Sequence, residues 1–168
     1  MTARVAIRGA ASADVATVSS ILREAASWLD ARGDCMWRMS ELAEDAIRAE
    51  VSAALFWIAS IDSEAAGVVR FQSDDPLMWP DAKRDEAAYV HRLAVRRQFA
   101  GGEVSHALLD FASERTRSLG RPRLRLDCDA TRPRLRAVYE RYGFTHHSDH
   151  RVGPYLVARY ELPVARST

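Results

Sequence analysis

Apolar residues recur along this chain with two different spacings, and each spacing predicts one kind of secondary structure. Helical spacing, in which apolar residues return every three or four positions, predicts four helices. These begin near Ser12 or Asp14, at Ser40, at Val104 and at Pro133, and end near Gly33, Val51, Leu119 and Tyr142. Gly33 suits a helix end because glycine tolerates the left-handed backbone found there.

Shorter apolar or alternating runs predict strands over residues 4–8, 55–61, 67–72, 87–95, 124–128, 144–151 and 155–162. A turn around Asp62 joins the second strand to the third as an antiparallel hairpin, and a turn around Gly153 joins the last two. The stretch 73–85 has the composition of a loop. The order strand, two helices, three strands, helix, strand, helix, two strands predicts one α+β domain over residues 1–168. We expect a mixed, mostly antiparallel sheet flanked by helices.

Composition narrows the class of protein. A length of 168 residues fits one domain, and 48% hydrophobic with 28% charged residues is typical of a globular chain. The 24 basic and 23 acidic residues leave a formal net charge of +1, which argues against a nucleic-acid partner bound through a broad basic surface. Cys35 and Cys128 lack the spacing of zinc or redox sites and cannot form a disulfide framework.

The chain carries no pattern typical of a membrane or secreted protein. No stretch approaches the roughly 18 consecutive apolar residues of a membrane-spanning helix. The N-terminus lacks a basic region followed by an apolar run and a small-residue cleavage site. We therefore expect a cytoplasmic protein without a membrane partner.

The segment from Leu93 to Leu109 joins the end of the strongest predicted strand to a helix. Such a joint directs several backbone N–H groups and the positive end of the helix dipole at one point, which suits a phosphate. Gly101 and Gly102 let a ligand approach the backbone without a Cβ in the way. Because strand–glycine–helix joints are common, this motif alone is a weak indication of phosphate binding.

Two motifs together resemble the GCN5-related N-acetyltransferase (GNAT) family. The first comprises Leu93-Ala-Val95, a loop, Ala100-Gly-Gly-Glu-Val-Ser105 and Ala107-Leu-Leu109, similar to that family's acetyl-CoA motif. The second, Leu135-Arg-Ala-Val-Tyr-Glu-Arg-Tyr-Gly-Phe144, is similar to the family's late helix and its Tyr-x-x-x-Gly-Phe ending. A predicted strand separates them, as the family order requires, and the family's fold fits residues 4–162.

The resemblance implies acetyl-CoA as cofactor and an N-acetyltransferase reaction. In the family, the strand backbone corresponding to Leu93, Ala94 and Val95 pairs with the pantetheine arm. The pyrophosphate is held by the loop amides, which correspond here to Ala100, Gly101, Gly102, Glu103, Val104 and Ser105. Tyr139 matches a tyrosine that often protonates the leaving thiolate while a neutral amine attacks the thioester directly. The chemistry also needs a proton path from the amine and a backbone amide that polarises the carbonyl.

Three loop residues depart from the family's usual pattern: Ala100 replaces arginine or glutamine, Glu103 replaces glycine, and Ser105 replaces glycine or alanine. The changes at Ala100 and Ser105 are mild because the backbone amides remain. Glu103 puts a carboxylate beside the expected pyrophosphate, although an acid in a helix's first turn also stabilises the helix. We expect Glu103 to point to solvent, with Arg96 and Arg97 offsetting its charge. Beyond the loop, Arg132 stands where the family often has an asparagine that supports the cofactor.

His91 lies two residues before Leu93 on the predicted central strand, and strict alternation puts Tyr89, His91 and Leu93 on one face. An imidazole there is suited to relay the proton of the amine. A core histidine with satisfied hydrogen bonds is an equally good interpretation. Tyr139, taken alone, is likewise interpreted as a helix tyrosine packed on the core, and the flanking motif favours the general acid.

The acceptor amine is expected to meet acidic and aromatic side chains. Asp127, at the end of a strand that borders the expected cleft, is a candidate for binding the amine. Trp28 and Trp37 flank the connection between the first two helices, and Trp79 lies in the 73–85 loop with Asp74 and Asp75. Aromatic faces suit a cationic amine. Tryptophans at such positions also pack in cores, so both interpretations stay open.

The remaining reactive side chains favour structural roles. Nothing in the sequence points to an activated thiol at Cys128, so we expect a buried structural cysteine. His146, His147 and His150 do not share one strand face and lack a carboxylate or cysteine to complete a ligand set, so we expect no metal. The arginines over 115–141 are expected to form a solvated face, with a nucleic-acid interface as a weaker alternative.

The leading hypothesis is an acetyl-CoA-dependent N-acetyltransferase acting on an amine of a small molecule or peptide. The alternative is a GNAT-like fold that has lost transfer activity and serves as a ligand-binding or regulatory module. Ala100 and Glu103 are the residues that favour this alternative. The sequence identifies neither the acceptor nor the oligomeric state, and a homodimer stays open.

Overall fold

The computed structural model of the chain describes residues 4–165. The helices are α1 (Val15–Asp30), α2 (Glu44–Ser52), α3 (Glu103–Ser118) and α4 (Pro133–Tyr142). The strands are β1 (Ala6–Gly9), β2 (Phe56–Ile61), β3 (Glu64–Gln72), β4 (Ala87–Val95), β5 (Arg123–Asp129), β6 (Thr145–Val152) and β7 (Tyr155–Pro163). Their order is the predicted one, and β4 and α4 agree with the prediction at both ends. The α+β fold with a mixed, helix-flanked sheet is confirmed.

The second helix begins later than predicted. Met39–Leu42 form a short 3-10 turn, and α2 begins only at Glu44. Between them Ala43 has an extended backbone with a ψ of 151°, which breaks the helix. Ile47 and Val51 of α2 are buried. The prediction of a continuous helix from Ser40 is therefore wrong. The spacing of apolar residues continues across the break at Ala43, because this spacing carries no information on backbone angles.

The seven strands form one mixed sheet in the order β1-β2-β3-β4-β5-β7-β6. Strands β4 and β5, which α3 connects, run parallel, whereas β1 with β2, β2 with β3, β5 with β7 and β6 with β7 are antiparallel. Asp62 and Ser63 turn the β2–β3 hairpin with φ angles of 49° and 68°, the left-handed values that a tight hairpin turn requires. Both predicted hairpins are confirmed. None of the helices within residues 4–165 has the length and hydropathy needed to cross a membrane.

The described chain forms two compact units. Residues 4–70 and 92–111 make up the first unit, and residues 71–91 and 112–165 make up the second. Strands β3 and β4 and helix α3 each run from one unit into the other. The prediction that residues 1–168 act as one domain stays a prediction.

The first unit has an apolar core built by α1, α2, β2 and β3. In α1 the apolar residues Val15, Val18, Ile21 and Leu22 are buried, while Trp28 and Leu29 are only half-buried. The large side chains that are fully buried in this core are Ile21, Leu22, Leu42, Ile47, Phe56 and Ile58. Burial of such side chains is the main favourable contribution to the folding of this unit.

At Gly67 on β3, other residues of this unit approach the backbone closely. A Cβ added there would be 2.8 Å from Val104 Cγ1 and 2.9 Å from the carbonyl oxygen of Ala94. The space beside β3 is thus filled by the first turn of α3, and only glycine leaves room for it.

Strands β5 and β7 give the second unit one apolar and one polar sheet face. Leu126 and Tyr160 are register partners, and both are buried on the apolar face. The polar face carries, again as register partners, Arg125 with Glu161 and Asp127 with Arg159. Buried charged groups require partners, so the polar face depends on ion pairs rather than on apolar packing.

Residues 73–86, which we call the cover segment, pack over this polar face. Trp79 of the cover segment is 2% exposed. Its ring contacts the guanidinium groups of Arg125 and Arg159 at 4.4 and 4.6 Å from the ring centroid. Cation–π contacts with two buried arginines therefore fasten the cover segment to β5 and β7.

Candidate active site

Strand β4 carries the predicted cofactor-binding backbone and the predicted proton relay, and its regular geometry is interrupted between them. Arg92 has a φ of 50°, in the left-handed region that non-glycine residues rarely adopt. Its guanidinium is held 3.4 Å from Glu50 within the first unit. The predicted alternation through Tyr89, His91 and Leu93 is therefore interrupted after His91, as at a β-bulge.

The loop 100–105 in the first unit has the backbone geometry expected of an anion site. Gly101 and Gly102 have φ angles of 138° and 100°, and no atom of the described residues lies within 4 Å of the position of an added Cβ. Helix α3 begins at Glu103, so its first N–H groups are directed toward the loop. An open glycine backbone at a helix N-terminus fits a pyrophosphate held by backbone amides.

The arginines that precede this loop are engaged with α1. Arg96 donates a hydrogen bond to Glu24 at 2.8 Å, and the guanidinium of Arg97 lies 3.8 Å from the ring centroid of Trp28. Glu103 is exposed, in agreement with the expectation that it points to solvent. Both arginines thus contact α1. A contact of Arg96 or Arg97 with Glu103, which we expected to offset the charge of Glu103, is not among these interactions.

The three tryptophans proposed for the acceptor lie in different surroundings. Trp28 is half-buried, with Arg32 3.9 Å from its ring in addition to Arg97. Trp37 is half-buried and packs against the core of the first unit. Trp79 is buried inside the second unit, where its ring lies 6.1 Å from that of Tyr89. Their role in acceptor binding stays a prediction.

The second unit brings together Asp75 of the cover segment, His91 of β4 and Asp127 of β5. Nε2 of His91 lies 2.8 Å from Oδ2 of Asp75, and Nδ1 lies 3.6 Å from Oδ1 of Asp127. The side chains of Asp75, His91 and Asp127 are only 6%, 17% and 10% exposed. One imidazole thus lies between two largely buried carboxylates, an arrangement that can hold or pass on a proton.

In this cluster, the carboxylate oxygen Oδ1 of Asp127 lacks a hydrogen-bond donor in the described part of the chain. This oxygen is buried and accepts no hydrogen bond from any residue within 4–165. Burial raises the pKa of the Asp127 carboxyl above the ordinary range, while the charge of His91 acts in the opposite direction. Because a buried carboxylate oxygen without a donor is costly, this position is suited to a cationic group such as an ammonium.

Tyr139 lies on α4 and packs edge-on against Phe144, with ring centroids 6.1 Å apart. Burial raises the pKa of its hydroxyl well above the ordinary value, and Cys128 and Asp127 raise it further. The hydroxyl therefore stays protonated at neutral pH, which a general acid requires. Burial also raises the pKa of the Cys128 thiol to about 12, so this cysteine is the predicted buried thiol and not a nucleophile.

Two histidines of β6 and several arginines over 115–141 have hydrogen-bond or ion-pair partners within the second unit. His146 lies 2.8 Å from Asp149, and Nδ1 of His147 lies 2.7 Å from the hydroxyl of Ser148. The expectation of no metal stays a prediction. Arginines with a carboxylate partner include Arg117, Arg121, Arg123, Arg125 and Arg132. A basic stripe whose charges are paired in this way does not favour nucleic acid.

The partnership between Asp75 and His91 is missing from the sequence-based prediction of the site. Asp75 stands 16 residues before His91 in a segment without hydrophobic periodicity. The sequence offers one signal, a histidine on a mostly apolar strand. A histidine that is buried there must find a hydrogen-bond partner. That signal indicates that a partner exists but does not identify it.

A family model and a curated relative indicate the same family for this chain. The model of the acetyltransferase (GNAT) family matches residues 19–144. The chain is 30% identical over 137 residues to the "Uncharacterized N-acetyltransferase YesJ" of Bacillus subtilis, covering 78% of this chain and 76% of that protein.

Solved structures share the fold across nearly the whole chain. A GNAT-family acetyltransferase from Listeria monocytogenes has a TM-score of 0.79 at 23% identity, covering 97% of this chain and 98% of that one. The PaiA N-acetyltransferase from Thermoplasma acidophilum, solved in complex with coenzyme A, has a TM-score of 0.73 at 16% identity, covering 93% and 98%. The chain belongs to the GNAT family of acetyltransferases, enzymes whose co-substrate is acetyl-CoA, as its two motifs predict.

Proposed function

We propose that this protein transfers the acetyl group of acetyl-CoA to the amine of a small molecule or peptide by direct attack of the amine on the thioester. The observation that carries the proposal is the open backbone of Gly101 and Gly102 before α3, in a chain of this family. Leu93, Ala94 and Val95 bind the pantetheine arm through the backbone of β4. The amides of residues 100–105 hold the pyrophosphate. Acetyl-CoA supplies the activated thioester.

Asp127 receives the acceptor. Its unpartnered Oδ1 attracts an ammonium group, which supplies the donors that this buried oxygen otherwise lacks. Trp28, Trp37 and Trp79 are retained as candidates for acceptor binding, Trp79 by supporting the cover segment. The substrate class is therefore a primary amine that is cationic in solution.

His91 and Tyr139 handle the protons. His91 takes a proton from the ammonium, so that an N–H bond of the acceptor breaks and its electron pair becomes available for attack on the carbonyl. A backbone amide polarises that carbonyl. As the new N–C bond forms and the C–S bond breaks, Tyr139 gives its hydroxyl proton to the sulfur. The Tyr139 hydroxyl carries its proton at neutral pH and is therefore available for this step. The nitrogen loses its second proton as the amide forms, and a proton returns through solvent to the Tyr139 oxygen, so that thiol and amide leave and the tyrosine is restored.

Two measurements test the proposal together. Calorimetric titration with acetyl-CoA should show binding, and an acceptor screen that detects the released thiol should show turnover with one or more primary amines. Absence of binding at millimolar acetyl-CoA would reject the proposed function. Binding without turnover on any amine would favour the ligand-binding or regulatory module over the enzyme.

Glu103 distinguishes these alternatives. Its carboxylate, at the first residue of α3, opposes a bound pyrophosphate, so Glu103→Gln should tighten acetyl-CoA binding by about threefold to tenfold. Glu44→Gln is the matched control because Glu44 is an exposed glutamate at the first residue of α2, and it should leave binding unchanged. If wild type fails to bind and Glu103→Gly binds, the loop is degenerate in this protein.

Two further expectations stay predictions beside this proposal, namely a cytoplasmic location and a single acetyltransferase domain over residues 1–168. The oligomeric state stays open, with a homodimer as one alternative. Size-exclusion chromatography with light scattering measures the oligomeric state directly.

A further inference from the structure

Asp75 of the cover segment contacts His91, the candidate proton relay on β4, through its carboxylate. Oδ2 of Asp75 lies 2.8 Å from Nε2 of His91, and the Asp75 side chain is only 6% exposed. We infer that Asp75 is a positioning residue that fixes the ring orientation and tautomer of His91 for proton transfer. The inference rests on the proposed acetyl transfer, and it assigns to a cover-segment residue a role in that reaction.

Asp75 is itself held rigidly. Its Oδ1 accepts a hydrogen bond from the Met78 N–H at 3.2 Å, and its carbonyl accepts one from the Trp79 N–H at 2.8 Å. The two carboxylate oxygens therefore have separate partners, one in the cover segment and one on His91. A carboxylate fixed in this way can impose an orientation on the imidazole rather than follow it.

The ends of the cover segment are fastened as well. The Arg121 guanidinium donates to the carbonyl oxygen of Ser73, the first residue of the segment, and to that of Ala87, which directly follows it. It also pairs with Asp85 at 2.9 Å. With Trp79 buried between its arginine contacts, the segment is attached at both ends and in the middle. Asp75 thus occupies a defined place over β4.

This placement assigns different tasks to the two ring nitrogens. An ionised carboxylate accepts but cannot donate, so Asp75 selects the tautomer in which Nε2 carries the hydrogen. Nδ1 then keeps its electron pair and faces Oδ1 of Asp127 at 3.6 Å. When an ammonium binds at Oδ1 of Asp127, Nδ1 of His91 is the nitrogen base beside it, and the imidazolium that forms lies between two carboxylates.

The charged groups around His91 come from every neighbouring element. Asp75 faces it from the cover segment and Asp127 from β5, while Tyr89 precedes it on β4. Arg159 of β7 and His150 of β6 act on it through Asp127. The two carboxylates thus approach His91 at different ring nitrogens, and only Asp75 lies within hydrogen-bond distance.

The first arm of the test is nuclear magnetic resonance of the 15N-labelled histidine rings in the protein alone. The His91 signals are assigned as those missing from His91→Gln. Asp75→Asn should weaken the Nε2–H tautomer, which the 15N chemical shifts of the two ring nitrogens report. The control is Asp149→Asn, since Asp149 makes a contact of the same 2.8 Å length with His146 at the surface. It should leave the His91 tautomer unchanged.

The second arm is kinetic, with the best amine from the acceptor screen. Asp75→Asn should lower kcat about tenfold to a hundredfold, with acetyl-CoA affinity within twofold. Asp75→Glu should recover part of the rate, and Asp149→Asn should retain it. An Asp75→Asn enzyme with an unchanged rate, or a His91 tautomer unchanged by the substitution, would overturn the inference.

The two proposals fail in different ways. If wild type shows no acetyl-CoA binding, the proposed function fails whatever the histidine spectra show. If wild type is active and Asp75→Asn loses activity together with its folded spectrum or its acetyl-CoA binding, Asp75 is a structural residue only and the positioning role is rejected.

Discussion

Burial decides what the titratable side chains of this protein can do. Tyr139 and Cys128 are neighbours in the second unit, and burial raises the pKa of both groups. The same physical effect has opposite chemical consequences for them. The Tyr139 hydroxyl stays protonated, as a general acid must be. The Cys128 thiol also stays protonated, so the nucleophilic thiolate does not form.

Replacing Tyr139 by phenylalanine removes the acid and keeps the ring that packs on Phe144. We expect kcat to fall about tenfold to a hundredfold, because general acid catalysis of thiolate departure is lost, while acetyl-CoA affinity stays within twofold. Steady-state kinetics with thiol detection and calorimetry measure the two quantities. Tyr155→Phe, at an exposed tyrosine of β7, is the control. An unaltered kcat would remove Tyr139 from the mechanism.

At the scale of elements, local contacts join β1 to α1 and β3 to α3. Asp14, just before α1, accepts two hydrogen bonds from Arg8 of β1 at 2.7 and 2.8 Å. On β3, Gly67 leaves space for Val104 of α3. One joint depends on charge and the other on the absence of a side chain, so they respond to different perturbations.

The Arg8–Asp14 pair makes the stability of the first unit depend on pH at the acid end. Its hydrogen bonds lower the pKa of the Asp14 carboxyl from 3.8 to about 2. A depressed pKa contributes stability that is fully present above about pH 4 and is lost as pH falls toward 2. Because Arg8 is 58% exposed, solvent screening reduces the contribution to about 1 kcal/mol.

Asp14→Asn should therefore destabilise the protein by about 1 kcal/mol at pH 7 and by much less at pH 2. Denaturant unfolding at both pH values measures the difference. Asp30→Asn, at the exposed C-terminal end of α1, should be neutral or slightly stabilising because a carboxylate there opposes the helix dipole. Equal losses for Asp14→Asn at the two pH values would contradict the electrostatic origin.

Gly67→Ala tests the packing of α3 on β3. The added Cβ would meet the Ala94 carbonyl oxygen at 2.9 Å, and a backbone atom cannot move aside cheaply. We expect a loss of about 1–3 kcal/mol in the free energy of unfolding. The control is Gly9→Ala on β1, where the nearest atoms are ring carbons of Trp57 at 3.7 Å or more. Similar losses at the two glycines would show that the cost lies in the backbone rather than in the clash.

At the scale of the whole molecule, 24 basic and 23 acidic residues give the near-zero net charge, and in the second unit buried arginines are paired with carboxylates. Buried Arg125 is balanced by Glu86 and Glu161, and buried Arg159 by Asp81. Removing one member of a buried pair leaves an uncompensated charge, so we expect each set to be kept or replaced as a whole. Arg125 thus serves the internal structure of the second unit, whereas Arg134 and Arg141 of the same 115–141 stretch are exposed.

The sequence by itself determined the order of elements, the mixed sheet and the family, because hydrophobic period and the Leu93–Leu109 and Leu135–Phe144 motifs are local properties of the chain. It also identified His91, Asp127 and Tyr139 as candidates. The break before α2 and the interruption at Arg92 were not predictable, since both are backbone angles that apolar spacing does not encode.

Only the tertiary structure decided which side chains act on one another. Asp75 reaches His91 because the cover segment folds back over β4, and its course depends on Arg121, Trp79 and the buried arginines beneath it. Arg96 pairs with Glu24 for the same kind of reason, although the two are far apart along the chain. Contacts between distant residues follow from how the whole chain packs, and no local pattern records them.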